Sequence, residues 1–255
     1  MMQKQAEQFC HDLSISLPII GGAMYPCSNP ELVAAVSEAG GIGVVQPLSL
    51  TYVHGYDFRD GLRYIRDLTQ KPIGVNLLIE KSSQRYLDRI KAWLDIALEE
   101  DVKFFVTALG NPRFVVDKVH AHGGLVYHNT TSKKWADKAI SGGVDGLICV
   151  NDHAGGHAGT ESAKQLLDDL IGFEKPLISA GGISDPEKVA EMLNLGYSGV
   201  QMGTRFIASN ECTAHTDYKQ AIVDAEESDI VLTDKLSGVP VSVIETEAIR
   251  RMGAK

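Results

Sequence analysis

Short, apolar, β-branched runs alternate with amphipathic stretches along most of this 255-residue chain. Eight runs are predicted to be strands, at 18–20, 43–45, 73–77, 104–107, 125–128, 146–150, 177–180 and 199–202. Each interval between them has room for one helix and two short loops, which is the βαβ rhythm of a parallel sheet. Eight such units predict an α/β fold in which the sheet closes into a (β/α)8 TIM barrel.

A barrel of this kind occupies about 250 residues, so we expect a single domain over residues 1–255. Residues 1–17 are expected to be a lead-in to the barrel. Residues 207–255 are predicted to form a short helical C-terminal extension that covers the barrel. Within the extension we predict helices at 212–226 and 245–252, with a turn at 237–240.

Three of the predicted helices share one local design, which supports repetition around a barrel. A capping side chain stands before a proline at Asn29 and Pro30, at Asn111 and Pro112, and at Asp185 and Pro186. The same helices are predicted to stop at Gly40, Gly123 and Gly196. An open doubly wound sheet would bring a G-x-G-x-x-G fingerprint, whereas the glycines at 40–43 follow a helix and lead into a strand.

Composition narrows the classes of function. A net charge of −9 without a Lys/Arg cluster argues against a nucleic-acid surface. No apolar run approaches the roughly 18 residues that span a membrane. The four cysteines form no C-x-x-C pair, which argues against zinc or a disulfide framework. We therefore expect a cytoplasmic protein with no nucleic-acid partner and no membrane partner.

The ends of the last two predicted strands carry the residues of a phosphate site. These are Gly181 and Gly182 after one strand, and Gln201, Met202, Gly203 and Thr204 at the end of the other. TIM barrels often bind phosphate at this place, where glycines let an anion approach the backbone N–H groups. The alternative is that these glycines only make tight turns.

The loop after strand 146–150 carries His153 and His157 on either side of Gly155 and Gly156. A spacing of four suits a metal site on a helix. The glycine pair argues against a helix, and no companion ligand is near, so no metal site is predicted. We expect the loop to hold His157 over a flat ligand, where it would act as a general base. The alternatives are a loop histidine bonded to a carbonyl and, for His153, a structural role.

Other strand ends complete the same face. Gly22, Ala23 and Met24 follow the first strand, and a small residue before a soft one suits contact with an aromatic ring edge. Asn76 and Asn129 bring amides to the ends of the third and fifth strands. Because a buried amide must find a partner, each bonds either a ligand heteroatom or a neighbouring strand.

Six motifs together resemble the nitronate monooxygenase family, which also includes flavin-dependent enoyl-acyl-carrier-protein reductases. They are PIIGGAM at 18–24, VSEAGGIG at 36–43, GVNL at 74–77, AGGHAG at 154–159, SAGGI at 179–183 and GVQMGTRF at 199–206. Their order and spacing are specific. The segment after Phe206 departs from the pattern, because most members continue further with helices that shape the substrate pocket.

The resemblance implies FMN as the cofactor. Its phosphate would lie against Gly181, Gly182, Gln201, Met202, Gly203 and Thr204. Its isoalloxazine and ribityl parts would meet Ala23, Met24, Asn76, Asn129 and Gly155, with Gly22 and Gly156 alongside. His157 matches the family's catalytic histidine, which removes the proton α to a nitro group or hydrogen-bonds the nitronate.

The predicted function is therefore FMN-dependent oxidation of nitronates, and of nitroalkanes, by molecular oxygen with His157 as the base. Two alternatives stay open: an NAD(P)H-dependent enoyl-thioester reductase on the same FMN barrel, and a phosphate-binding barrel enzyme without flavin. The expected partners are a small-molecule nitronate and oxygen. The oligomeric state is left open, with a homo-oligomer as one alternative.

Overall fold

The computed structural model describes residues 2–80, 83–236, 238 and 240–253. Eight parallel strands form a closed barrel in the order β1-β2-β3-β4-β5-β6-β8-β9. These strands are β1 (Ile19–Gly21), β2 (Ile42–Val45), β3 (Ile73–Ile79), β4 (Phe104–Leu109), β5 (Leu125–Thr130), β6 (Gly146–Val150), β8 (Leu177–Ala180) and β9 (Gly199–Met202). Their ends lie within two residues of the predicted runs, so the predicted TIM barrel is confirmed.

Helices surround the barrel. They are α1 (Met2–Leu13), α2 (Pro30–Glu38), α3 (Phe58–Leu68), α4 (Gln84–Glu99), α5 (Arg113–Ala121), α6 (Lys133–Ser141), α7 (Ala163–Leu170), α8 (Pro186–Leu195), α9 (Thr204–Ile207), α10 (Thr216–Asp224) and α11 (Glu247–Arg251). In α3, Asp57 caps the first turn, and Phe58, Leu62 and Ile65 recur at helical spacing and are buried against the strands. Burial of one apolar stripe fixes each helix on the barrel.

The shared helix design is present only in part, because the Asn29 side chain makes no capping hydrogen bond to α2. The helices α2, α5 and α8 end within two residues of Gly40, Gly123 and Gly196, as predicted. Proline occupies the first turn of α2 and α8, and the Asp185 side chain accepts a hydrogen bond from the Lys188 N–H group. α5 begins one residue later, so that Pro112 is its N-cap.

Asn29 precedes α2 but ties it to the C-terminal extension. The Asn29 amide donates to the carbonyl of Glu211 at 2.9 Å and accepts from the N–H group of Thr213 at 3.1 Å. Beside it, the Cys212 thiol donates to the carbonyl of Cys27. Burial, and then the neighbouring Cys212, raise the pKa of Cys27 to about 11. These contacts hold the start of the extension against the loop after β1.

The lead-in closes the bottom of the barrel. Phe9 and Leu13 of α1 pack into the interior cluster that also contains Tyr127. The Phe9 and Tyr127 rings are 5.9 Å apart, and Phe9 is fully buried. The amino-terminal end of the barrel is therefore filled by side chains, and the opposite end is left for a ligand.

The extension is helical only in part, so the prediction of a helical extension needs correction. α10 and α11 lie within the two predicted helices, but two strands stand between them, β10 (Ile230–Thr233) and β11 (Val241–Ile244). They pair antiparallel with each other and with the two-residue β7 (Gly156–His157), in the order β10-β11-β7. Their β-branched residues favour strands over helix. The predicted turn at 237–240 lies partly outside the described residues, at 237 and 239.

None of the helices over the described ranges is both long enough and apolar enough to cross a membrane.

Candidate active site

Strand alternation aims three amide side chains into the carboxyl end of the barrel. Side chains of a strand point alternately to its two faces. The neighbours of Asn76 in β3 and of Gln201 in β9 pack outward against the helices, so these two amides point inward. Asn129 lies two residues beyond Tyr127, which belongs to the interior cluster, and shares its direction. Asn129 and Gln201 each lie one residue before the end of their strand, and Asn76 lies three residues before the end of β3.

Asn129 and Asn76 both present polar atoms that the fold leaves without partners. Asn129 Oδ1 is buried and makes no hydrogen bond to any described residue. Asn76 is 5% exposed, and its side chain likewise has no hydrogen-bond partner within the described ranges. An unpaired buried polar group costs about 1–3 kcal/mol. A ligand with polar atoms at the barrel mouth could bond the Asn129 oxygen, so a contact between these amides and a ligand stays a prediction.

Small side chains form a floor at this end of the barrel. Ala23, Val150 and Ala180 lie at the upper edge of the interior cluster. In register, Val150 of β6 stands opposite Ala180 of β8, and Ala180 stands opposite Gln201 of β9. A floor of short aliphatic side chains suits a flat aromatic ring, because no branch rises above it.

Glycines let several strand ends approach one another closely. A Cβ on Gly155 would stand 2.6 Å from Thr204 Oγ1, and one on Gly203 would stand 3.2 Å from Met24 Sδ. The loops after β1, β6 and β9 therefore meet at one place. The predicted phosphate residues and ring-contacting residues share this end of the barrel.

Gly181 and Gly182 make a second close approach, between β8 and the loop after β6. Gly181 has φ of +123°, and a Cβ there would fall 2.0 Å from Asn151 Oδ1. A Cβ on Gly182 would fall 3.0 Å from His153 Cβ. Side chains at these two positions would collide with the loop after β6, so this close approach requires glycine. The backbone around Gly155, Gly181, Gly182 and Gly203, with Thr204, is called the cradle below.

The loop after β1 is held from both sides. The Met24 N–H group donates to Ser28 Oγ at 2.8 Å, and Ser49 Oγ donates to the Met24 carbonyl at 3.1 Å. The Gly22 N–H group donates to the Met202 carbonyl at 2.8 Å. Met202 itself is 7% exposed and packs outward against the helices. Met202 was predicted to contact the cofactor. Because its side chain points outward, it could make that contact only through its backbone.

Asn151 positions the loop after β6 and was not among the residues predicted for the site. It is 2% exposed; its Nδ2 donates to the Gly181 carbonyl at 3.1 Å, and its Oδ1 accepts from the His153 N–H group at 2.9 Å. Its backbone also bonds Ala180 and Gly159. The signal was an amide directly after a buried strand and four residues before the glycine pair.

His157 is exposed and lies in β7, opposite Val241 of β11. The loop is not helical, as the glycine pair predicted. Gly156 has φ of +76° and no atom within 4 Å of a built Cβ, so it serves the loop conformation rather than a close approach. In the described part of the chain, no group of three or more His, Cys, Asp or Glu side chains could hold a metal ion.

His153 joins the same loop to the extension. Its ring lies 2.8 Å from Asp152 Oδ1 and 3.2 Å from Glu227 Oε1. The hydrogen bond to Asp152 is the main cause that raises the pKa of His153, and Glu227 adds to it. These partners lie on the surface, in keeping with the structural role expected for His153.

His128 is the other histidine of a barrel strand end, and it faces away from the site. It is 4% exposed, and its Nδ1 lies 2.8 Å from Thr107 Oγ1 on the neighbouring strand. Burial lowers the pKa of His128 to about 4. The ring is therefore neutral near pH 7 and serves packing beneath the helices.

Comparisons with known proteins agree with this geometry. A family model described as nitronate monooxygenase matches residues 7–255. A probable nitronate monooxygenase of Staphylococcus saprophyticus is 31% identical, over 94% of this chain and 79% of that protein. A carboxyl-CoA dehydrogenase of Rhodococcus jostii is 27% identical, over 94% of this chain and 66% of that protein.

Two solved structures superpose on nearly all of this chain. FabK from Thermotoga maritima superposes with a TM-score of 0.83 and 32% identity, covering 96% of this chain and 76% of that chain. A nitroalkane oxidase from Streptomyces ansochromogenes superposes with a TM-score of 0.81 and 25% identity, covering 95% of this chain and 80% of that chain. The match disfavours the alternative of a barrel without flavin. This chain belongs to the nitronate monooxygenase family and is a flavin-dependent oxidoreductase.

Proposed function

We propose that this protein oxidises small nitronates, and the nitroalkanes from which they derive, with molecular oxygen, using FMN as cofactor and His157 as base. The observation that carries the proposal is the loop after β6. It brings Gly155 against Thr204 of the cradle and, two residues later, places His157 on a strand tied to the extension. A base beside a cofactor cradle is the arrangement that proton abstraction next to a redox centre requires.

The residues present fit FMN. Glycine at 155, 181, 182 and 203 lets the loops after the strands come close together. A phosphate would lie against the backbone N–H groups of these loops and the Thr204 hydroxyl. The floor of Ala23, Val150 and Ala180 suits the ring, and Asn129 Oδ1 and Asn76 would meet its polar edge. FMN, when bound, supplies the electron transfer from substrate to oxygen.

His157 would handle the proton. With a nitroalkane, a neutral ring nitrogen of His157 takes the proton from the carbon α to the nitro group, which leaves the nitronate and a protonated imidazole. With a nitronate, no proton has to be removed, and the ring N–H group donates a hydrogen bond to a nitro oxygen. His157 is therefore required more for nitroalkanes than for nitronates.

A second candidate is a reductase or dehydrogenase acting on a thioester. It is favoured by the relative from Rhodococcus jostii, whose name denotes a carboxyl-CoA substrate. The same cradle and floor would serve either reaction, because both use the flavin in one position. The two candidates differ in what reduces the flavin, which a spectrum can decide.

The test begins with the bound pigment, released by denaturation and identified by mass as FMN or another flavin. Oxygen uptake with ethyl and propyl nitronates is then compared with anaerobic flavin bleaching by NADH and NADPH. Oxygen uptake with nitronates supports the proposal. Bleaching by NAD(P)H together with turnover of an enoyl-CoA, and no nitronate oxidation, would overturn it in favour of the thioester reaction.

The role of His157 is tested with His157→Asn, which keeps a polar side chain of similar reach. We expect nitroalkane turnover to fall about 10²–10⁴-fold, the usual contribution of a general base, and nitronate turnover to fall much less. His122→Asn, on the surface after α5, is the matched control and should leave both rates unchanged. Equal loss on both substrates, or no loss on nitroalkanes, would contradict the assignment of a base.

A further inference from the structure

The sheet of β7, β10 and β11, called the roof sheet below, gives His157 a defined set of neighbours. Val241 of β11 stands directly opposite His157 on one side and opposite Thr233 of β10 on the other. Residues directly opposite in an antiparallel pair project to the same face, with Cβ atoms about 4.5–5.5 Å apart. The side chains of His157, Val241 and Thr233 therefore form one row across the sheet.

The next row on that face consists of Val231 and Val243, which are also paired. Thr233 is 4% exposed, and Val231, Val241 and Val243 are half-buried. This face is therefore covered at Thr233 and opens to solvent at His157, which is exposed. The face that carries His157 is aliphatic, and none of the residues within β10 or β11 is charged.

On the opposite face of the roof sheet, the β10 residues are exposed and the β11 residues are half-buried. Ile230 and Leu232 are 44% and 42% exposed, and they share their face with Ser242 and Ile244, which alternate with the residues named above. Gly156, the neighbour of Ser242, adds no side chain there. Leu232 of β10 therefore offers a comparison position on the face opposite to that of Val241.

We infer that Val241, Val243 and Val231 form an aliphatic wall beside His157 that favours substrates carrying an alkyl chain next to the reacting carbon. This inference rests on the proposed function, because it places the reacting carbon at His157. The first methylene groups beyond that carbon would contact Val241. The diagonal neighbour Val243 lies about 7–8 Å from His157 between Cα atoms, so longer chains would reach it.

The wall explains how a short extension can still shape a pocket. Buried methylene groups contribute about 0.8 kcal/mol each, which corresponds to a factor of about four in affinity. We therefore expect kcat/KM for straight-chain alkyl nitronates to rise about fourfold for each methylene group over the first few carbons beyond ethyl nitronate.

The test compares Val241→Thr with Leu232→Thr. Both replacements keep a residue that suits a strand, and they place a hydroxyl group on opposite faces of the roof sheet. We expect Val241→Thr to flatten the rise of kcat/KM from ethyl to hexyl nitronate, and Val243→Thr to flatten it only for the longer chains. Leu232→Thr should keep the wild-type slope. A flat profile in the wild type, or a slope lost in Leu232→Thr and kept in Val241→Thr, would overturn the inference.

A second measurement separates this inference from the proposed function. Straight-chain carboxylates from propionate to hexanoate, titrated into the holoprotein by calorimetry, probe the wall without turnover. Affinity that rises with chain length in the wild type, and not in Val241→Thr, supports the wall even where no nitronate is oxidised. A protein that oxidises nitronates, but whose affinity for carboxylates does not change with chain length in the wild type or in Val241→Thr, would support the proposed function and overturn the inference of a wall.

Discussion

Replacing Asn151 by aspartate keeps the size of the side chain and removes one hydrogen-bond donor. The Asn151 amide donates to the Gly181 carbonyl at 3.1 Å and is 2% exposed. In Asn151→Asp, a carboxylate oxygen would face that carbonyl oxygen instead. The bond that Oδ1 accepts from the His153 N–H group survives the change. The perturbation therefore falls on the contact between the loop after β6 and the cradle at Gly181.

The cost follows from two contributions. The lost hydrogen bond is worth about 1 kcal/mol net, and two buried acceptors without a donor between them cost about 1–3 kcal/mol more. The sum of about 2–4 kcal/mol corresponds to a factor of about 30–1000 in an equilibrium constant at roughly 1.4 kcal/mol per tenfold. In the cofactor-free variant the loop after β6 can relax and avoid this cost. The cost is then incurred when FMN binds, and it appears as a higher dissociation constant.

The assay is a fluorescence titration of FMN into deflavinated protein, at pH 7 and again at pH 5. We expect the dissociation constant of Asn151→Asp to rise at pH 7 by a factor within that range. The deficit should shrink at pH 5, because a protonated carboxyl group can donate to Gly181. Asn194→Asp, on the exposed side of α8, makes the same chemical change and should bind as the wild type does. A dissociation constant within twofold of the wild type in Asn151→Asp would refute the reasoning.

Three further predictions concern stability, each measured by urea unfolding. Phe9→Ala empties the bottom of the barrel and should lower the free energy of unfolding by about 3–5 kcal/mol; a loss below about 1 kcal/mol would mean that α1 does not close it. Tyr197→Phe removes a hydroxyl that donates to the Ala163 carbonyl at 2.6 Å, and should cost about 1–3 kcal/mol, with exposed Tyr218→Phe as the silent control. Burial lowers the pKa of His128 to about 4, whereas the unfolded chain gains this proton near pH 6.5. Stability should therefore be intact above pH 6.5 and fall by about 3 kcal/mol as the pH drops to 4, and His128→Gln should lose that part of the pH dependence.

The barrel was predictable because each of its strands is a local feature. The run at 146–150, for example, is apolar, short and bounded by turn residues, and β6 has the same bounds. The close approach of the loops was predictable for a related reason: Gly181 and Gly203 follow strands whose ends must meet at one edge of a closed parallel sheet. That these glycines hold a phosphate stays a prediction.

The roof sheet was missed because its strands depend on distant partners. β7 has only two residues, and its pairing with Val241 spans a long stretch of the chain. The runs at 230–233 and 241–244 are rich in β-branched residues. They follow the last barrel strand, where the regular alternation of strands and helices ends. The place of Asn151 after a buried strand marks it as a candidate, but no local pattern indicates that its amide will bond the Gly181 carbonyl, 30 residues away.

Barrel closure also joins parts of the chain that are made far apart in time. Ile20 of β1 stands opposite Gln201 of β9, and Asn29 bonds Glu211, 182 residues further along. Bringing such distant residues together costs the entropy of loop closure, and the contacts stabilise the fold only after they have formed. While the ribosome makes the chain, β1 keeps one unpaired edge until β9 has emerged, and such an edge is a site of aggregation. The free edge of β1 is therefore the strand edge that stays open to aggregation for the longest part of synthesis.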